Sequence, residues 1–279
     1  MPTRMKKRYC RVEYNIGSSG GFVDISGLSI KFEIKKTIGS VMNEATIEID
    51  GLSTPTLENL TTTVSQVFNP SGTKPVLKIT AGYVNEESIL FEGELYEAIA
   101  GARPRRTLTC QGKTGFSNKG TQASFSIDNT KLHTVAKSIA EQAGIAYIFD
   151  EGTNIGIENY TYSGNLYDAV IGLGSYGRGI TAYVEDNVLR IIKDTTTPST
   201  SSSVISSDTG MIGLPQITQT GVIVRYRMNA FVKCNSSIRV ISQIIPLASG
   251  LYTVIKITHK GDLLGNDWYT EVECRREGD

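Results

Sequence analysis

The sequence predicts a mainly β protein with an α+β insertion: two antiparallel β segments on either side of a small α+β module. Three observations carry that prediction. Apolar and polar residues alternate with a period of two over long stretches at both ends, the middle switches to helical spacing, and Val, Ile, Thr and Tyr are frequent. A chain of 279 residues has room for about two domains with full hydrophobic cores, and needs no disulfide or metal as a staple.

The first β segment occupies residues 1–118. Leu28, Ile30, Phe32 and Ile34 alternate with Ser29, Lys31, Glu33 and Lys35, which gives a strand with one buried and one wet face. Ala45, Ile47 and Ile49 against Thr46, Glu48 and Asp50 repeat the pattern. So do Leu77, Ile79, Ala81 and Tyr83, and then Ile89, Phe91, Gly93 and Leu95 against Glu92, Glu94 and Tyr96. A last strand falls near residues 106–110. One helix interrupts, with Thr54 as cap, Pro55 at its first position and Leu57, Leu60, Val64 and Val67 along one face. A small antiparallel barrel or sandwich with one flanking helix fits the pattern.

Residues 119–194 form the α+β module. Asn129 precedes a helix with Leu132, Val135, Ala136, Ile139, Ala140 and Ala143 at helical spacing, and Gly144 ends it. Strands follow at residues 147–149 and 160–162. Ser163 is placed to cap a second helix carrying Leu166, Ala169, Val170 and Leu173, and residues 180–184 and 188–192 read as a hairpin. The third segment is residues 195–279. It opens with a Ser/Thr-rich linker over 195–209 and continues with strands near 222–231, 238–243, 251–259 and 268–275. Leu251, Thr253, Ile255 and Ile257 share one predicted face, as do Trp268, Thr270, Val272 and Cys274. The segment is short for a barrel of its own, so it is expected to lean on the first β segment or on a neighbouring subunit.

Charge and motifs exclude more than they assign. The 28 Lys and Arg balance 28 Asp and Glu, whereas nucleic-acid binders carry a basic excess that neutralises phosphates. The dense basic groups, around Arg4, Lys6, Lys7 and Arg8 and at Arg103, Arg105 and Arg106, read as solvated charge near a chain end and in a loop. Cys10, Cys110, Cys234 and Cys274 are far apart, each in an alternating stretch, as buried or half-buried side chains would be. No signal peptide or membrane span is evident, and folding in a reducing cytoplasm is expected. Gly172–Gly177 matches GxGxxG, but a helix precedes it and a strand follows, the reverse of a dinucleotide site. Gly17–Gly21 matches GxSxG without the helix that a nucleophile elbow needs, and reads as a hairpin tip. The two histidines, His133 and His259, have no evident nucleophile or metal-ligand cluster beside them. No catalytic residue, cofactor site or metal site is therefore assigned, and the chain is read as a non-enzyme.

Several stretches resemble baseplate hub proteins of tailed bacteriophages, the tube-domain hub family related to the hub part of type VI secretion spike proteins. They are Ser40-Val-Met-Asn-Glu-Ala-Thr-Ile-Glu-Ile-Asp-Gly-Leu-Ser53, Met211-Ile-Gly-Leu-Pro215 with Thr220-Gly-Val-Ile-Val224, and Tyr252–Asp262 followed by Trp268–Cys274. The helix, strand, second helix and hairpin of the module stand between them in the family's order, so the likeness spans nearly the whole chain.

The resemblance implies two tube-type antiparallel β-barrel domains and a homotrimer. Its six barrels would form a pseudo-hexameric ring that adapts the sixfold tail tube to the threefold spike and lets DNA pass without specific binding. The implied partners are the tail tube protein, the spike protein, and tape-measure and wedge proteins. The implied location is the virion tail baseplate, assembled in the bacterial host cytoplasm. A spike domain and any cell-wall hydrolase are expected on other polypeptides. The charges alternating with the strands' apolar residues, Lys31, Glu33, Lys35, Glu48, Glu92 and Glu94, are the candidates for facing the lumen, where mixed sign would keep DNA from sticking.

Two other readings compete. A carbohydrate-binding or adhesion module would draw on Tyr160, Tyr162, Tyr167 and Tyr176, and a hydrolase would use His259 and Asp262.

Overall fold

The computed structural model describes residues 6–15, 21–26, 29–38, 42–65, 75–101, 106–114, 121–185, 188–193 and 203–277. Arg4, Gly17 to Gly20, Leu28, Ser40, Val67, Arg103, Arg105 and residues 195–202 of the predicted linker lie outside the described residues.

In chain order the elements begin with β1 (Arg8–Asn15), β2 (Val23–Asp24), β3 (Ser29–Thr37), β4 (Glu44–Asp50), α1 (Thr54–Val64), β5 (Val76–Tyr83), β6 (Ser88–Ala100) and β7 (Thr107–Lys113). Next come β8 (Gln122–Lys131), α2 (Leu132–Ala143), β9 (Ala146–Phe149), β10 (Gly156–Asn165), α3 (Leu166–Gly172), β11 (Ile180–Glu185) and β12 (Val188–Lys193). The chain closes with β13 (Ser203–Ile205), β14 (Gln216–Ile217), β15 (Gly221–Arg227), β16 (Ser237–Val240), β17 (Gly250–Asp262) and β18 (Trp268–Arg276). These elements make two compact units. One comprises Met1–Lys36, Glu44–Lys113 and Ser199–Asp279, and the other Thr37–Asn43 and Thr114–Pro198.

The first unit is mainly β, as the alternation predicts. Its strands form one sheet in the order β14-β15-β18-β17-β3-β4-β7-β6-β5-β1-β2, with β13 and β16 branching from β17. The last β segment leans on the first, one of the two expected arrangements: the two share one sheet, and no continuous ladder among the described residues closes it into the barrels that the resemblance implies. The reason lies in the length of β17. Its first residues pair with β16, from Ser237 opposite Thr253 to Val240 opposite Gly250, while its far end lies beside β3, where the Leu263 amide donates to the Ile30 carbonyl at 3.0 Å. Alternation reveals a strand's faces and not how many partners share its edge.

The sheet nevertheless folds over a common core. Val12, Ile34, Ile47, Leu77, Phe91 and Cys110 are buried with Met228, Ala230 and Trp268 in one cluster. Inward glycines make room for the largest ring: a Cβ on Gly93 or Gly112 would lie 2.6 or 2.8 Å from Phe91. Arg8 of β1 clasps the turn between β17 and β18, donating to the Asp262 and Gly265 carbonyls at 2.8 and 2.5 Å with its guanidinium 5.4 Å from the Trp268 ring. Strands distant in the pairing order thus meet through side chains.

Local departures from the predicted elements have local causes. Ser53, not Thr54, caps α1, its hydroxyl accepting from the Thr56 amide, and Pro55 follows in the first turn. The predicted linker ends early, because β13 runs parallel to β16. In β17 a bulge between Val254 and Lys256 shifts the register, so that Tyr252 and Val254 before it and Ile257 and His259 after it are buried, whereas Leu251 and Ile255 of the predicted face are not. Trp268, Thr270, Val272 and Cys274 are all buried, as predicted.

In the second unit α2 and α3 pack on the β8–β10 ribbon and on the β11-β12-β9 sheet around Leu132, Val135, Ile139, Leu166, Leu173 and Leu189. Gly144 ends α2 in the left-handed region at φ 66°. Ser163 lies within β10, and Asn165 caps α3 by accepting from the Tyr167 amide at 2.8 Å. Strand β8 escaped the sequence reading because its polar residues, Ser124, Ser126 and Asp128, outweigh its half-buried Phe125 and Ile127.

Candidate functional site

The wet face of the sheet in the first unit is built by simple alternation. Once Ile30, Phe32 and Ile34 point into the core, Lys31, Glu33 and Lys35 must point out, and β4, β6 and β7 follow suit. Register then decides which charges meet. Lys35 lies opposite Glu44, Glu44 opposite Lys113, and Lys113 opposite Glu94, an alternating-sign row across four strands. A second group aligns Glu92 with Lys78 and Lys78 with Glu13, and Lys31 lies opposite Glu48. All six sequence-predicted residues, Lys31, Glu33, Lys35, Glu48, Glu92 and Glu94, therefore share one face.

Ion pairs form within the row and beside it. Lys113 sits 3.0 Å from Glu44 and Lys35 2.6 Å from Glu33, and each hydrogen bond raises the lysine's affinity for its proton. Lys113 also lies over the Tyr96 ring at 4.9 Å, and the Tyr96 hydroxyl donates to Gln111 at 2.5 Å. Exposed pairs of this kind contribute little to stability, each ~0–1 kcal/mol. Their effect is on the field: opposite signs a few ångströms apart cancel at any distance beyond the Debye length of about 8 Å.

The face continues beyond the predicted set. Arg225 of β15 pairs with Glu271 of β18 at 2.8 Å, Glu271 lies opposite Thr258, and Glu273 lies opposite Lys256. These residues occupy the wet side of the Trp268–Cys274 alternation, which is the signal that finds them. Between β3, β4 and the β17–β18 turn the face dips into an open cavity of about 350 Å³ lined by Lys31, Glu33, Glu48, Lys260, Asp262 and Asp267. Lys31 approaches Asp262 at 3.7 Å and Lys260 approaches Asp267 at 3.5 Å, so this hollow too is of mixed sign.

The hydrolase site does not assemble. His259 is buried, its Nδ1 3.0 Å from the Thr270 hydroxyl. Asp262 lies three residues on, on the opposite side of the strand, and its carboxylate accepts from the Leu264 and Gly265 amides of the turn. Tyr160 belongs to the core of the second unit, where burial raises its hydroxyl well above the usual range, so its ring cannot serve as a sugar platform. Gly172–Gly177 lies where α3 ends and a 3₁₀ turn begins, before β11. His133 touches Tyr147 and Phe149 inside the second unit. Among the described residues no group of three or more His, Cys, Asp or Glu is placed to hold a metal, and no helix is long and apolar enough to cross a membrane.

The profile of the family described as Baseplate hub gp41 matches residues 10–274. The chain belongs to that family. It is a baseplate hub protein by family, and the sequence resemblance stated above is borne out.

Solved structures share the fold. A 43 kDa tail protein of prophage MuSo2 from Shewanella oneidensis superposes with a TM-score of 0.67 at 10% identity, covering 96% of this chain and 97% of that one. The c3393 protein of E. coli, a component of the type VI secretion system with structural similarity to T4 tail proteins gp27 and gp5, gives 0.63 at 9% identity, with 95% and 77% covered. A chain of the Francisella PdpA–VgrG complex gives 0.63 at 8% identity, with 98% and 53% covered. No curated protein matches the chain. At such identities the likeness is one of fold, while the family profile carries the structural baseplate and tail role.

Proposed function

We propose that the protein is the ring-forming subunit of a phage baseplate hub. Three copies, each presenting two tube-type halves of its shared sheet, form a pseudo-hexameric ring between the sixfold tail tube and the threefold spike. Tail tube and spike proteins are its axial neighbours, and tape-measure and wedge proteins are further partners. The ring is assembled in the host cytoplasm and resides in the virion tail baseplate. It acts by assembly, without catalysis.

The observation that carries this reading is the alternating-sign row Lys35–Glu44–Lys113–Glu94 on an unbroken sheet face. A duplex passing such a wall meets no excess of positive charge, so few phosphate counterions are released and little binding energy is gained. The six predicted residues line the lumen on this account. The likeness to a VgrG-containing complex supports a spike neighbour. Sedimentation equilibrium of the purified protein tests the proposal: three times the mass of one chain is expected, and a single-chain mass at every concentration overturns it.

A further inference from the structure

The connection between β16 and β17 is an apolar knob, built to stay outward. Ile244 and Leu247 are 73% and 81% exposed, yet the loop carrying them is internally bonded. The Ser242 amide donates to the Ser249 hydroxyl at 3.0 Å, the Ile245 amide donates to the Ser242 hydroxyl at 3.0 Å, and the buried Tyr252 hydroxyl donates to the Ala248 carbonyl at 3.0 Å. A 3₁₀ turn at Pro246–Ala248 fixes the tip. The knob adjoins an exposed sheet face, because Val204, Arg239 and Leu251 stand in one cross-strand row, with Ile241 two residues beyond Arg239. A loop ordered in advance loses little conformational freedom on docking.

The area fits a protein partner. Val204, Ile241, Ile244, Leu247 and Leu251 together present on the order of 500 Å² of apolar surface, at the upper end of patches found on monomers. A standard interface buries ~800 Å² per partner, somewhat more than half of it apolar, so this patch alone supplies the apolar part of one. A second patch on the same unit offers a match, with Ile212, Leu214 and Ile217 44%, 49% and 57% exposed on β14 and the turn before it. Charge agrees with self-association. The chain has no net charge to hold copies apart. Arg239 in the first patch and Asp208, in the turn leading to Ile212, are both exposed and of opposite sign.

We infer that the Ile244–Leu247 knob of one copy docks on the Ile212–Ile217 patch of the next, a head-to-tail contact between copies of this chain. Such contacts generate rings when the rotation closes. The inference rests on the ring reading above and names the surfaces that would make it.

The test uses full-length chains in sedimentation equilibrium. One variant carries Ile244→Asp with Leu247→Asp, the other Leu214→Asp with Ile217→Asp. An Ile244→Ser, Leu247→Ser pair removes apolar surface without adding charge, and circular dichroism checks that each folds. Wild type is expected as an oligomer and each variant alone as a single chain, a loss of at least 100-fold in self-affinity. An equimolar mixture of the two Asp variants is expected at twice the single-chain mass, because one intact knob then meets one intact patch. A wild-type oligomer with folded knob variants of unchanged mass overturns this inference and leaves the ring reading standing. A mixture that stays at the single-chain mass overturns the head-to-tail pairing. A wild type of single-chain mass overturns the ring reading and the inference with it.

Discussion

At the scale of single residues, most of the polar groups that look chemical in the sequence are structural. Cys110 is fully buried in the main core, and desolvation pushes its thiol up to about 12. Thiolate is the reactive form, so Cys110 is expected to resist iodoacetamide at pH 8 in the native protein and to react promptly once denatured, read by peptide mass spectrometry. Native labelling at the denatured rate would contradict the buried assignment. The glycine pair around Phe91 gives a packing test. Gly112→Ala places a methyl within reach of the ring and is expected to cost about 1–3 kcal/mol, seen as a lower denaturation midpoint. His259 shows why single residues mislead. From the sequence it stands three positions from an aspartate, and only strand geometry puts the two on opposite faces.

At the scale of elements, the legible features were those with a strong period. Strands β3, β4, β5 and β18 follow from strict alternation, and α2 follows from its apolar stripe and Gly144. Cap positions were less legible, because several hydroxyl and amide side chains near a helix start can each serve. Ser163 and Asn165 are both plausible caps for α3, and the backbone chooses Asn165 because β10 extends through Ser163. Asn165→Ala is therefore expected to destabilise the second unit by about 1 kcal/mol in a denaturant titration, with Ser163→Ala close to neutral. The bulge in β17 was invisible, since Leu251, Thr253, Ile255 and Ile257 alternate well in the sequence even though the register slips between them. The six wet-face charges were legible for the same reason as their strands. Their union into rows was not, because register is set by partners distant in the chain.

At the scale of the whole molecule, long-range contacts decide what the periodicities cannot. Sharing β17 between β16 and β3 shows where the last β segment leans on the first, and Arg8 ties the first strand to the β17–β18 turn. Arg8→Ala removes both charged hydrogen bonds and is expected to lower stability by about 2 kcal/mol, with Arg8→Lys recovering only part because an ammonium lacks the guanidinium's spread of donors. Unchanged thermal stability of Arg8→Ala would show that the clasp does not stabilise the fold. The balanced, alternating charge face fits the proposed ring, because a channel crossed by DNA would benefit from a wall without net attraction.

An electron cryo-microscopy map of the assembled tail tip shows which way that wall faces. Three copies are expected around the axis, with the row Lys35, Glu44, Lys113 and Glu94 and the residues Lys31, Glu33, Glu48 and Glu92 facing the central channel. A map in which this face points away from the axis, or is buried against a neighbouring subunit, would contradict it.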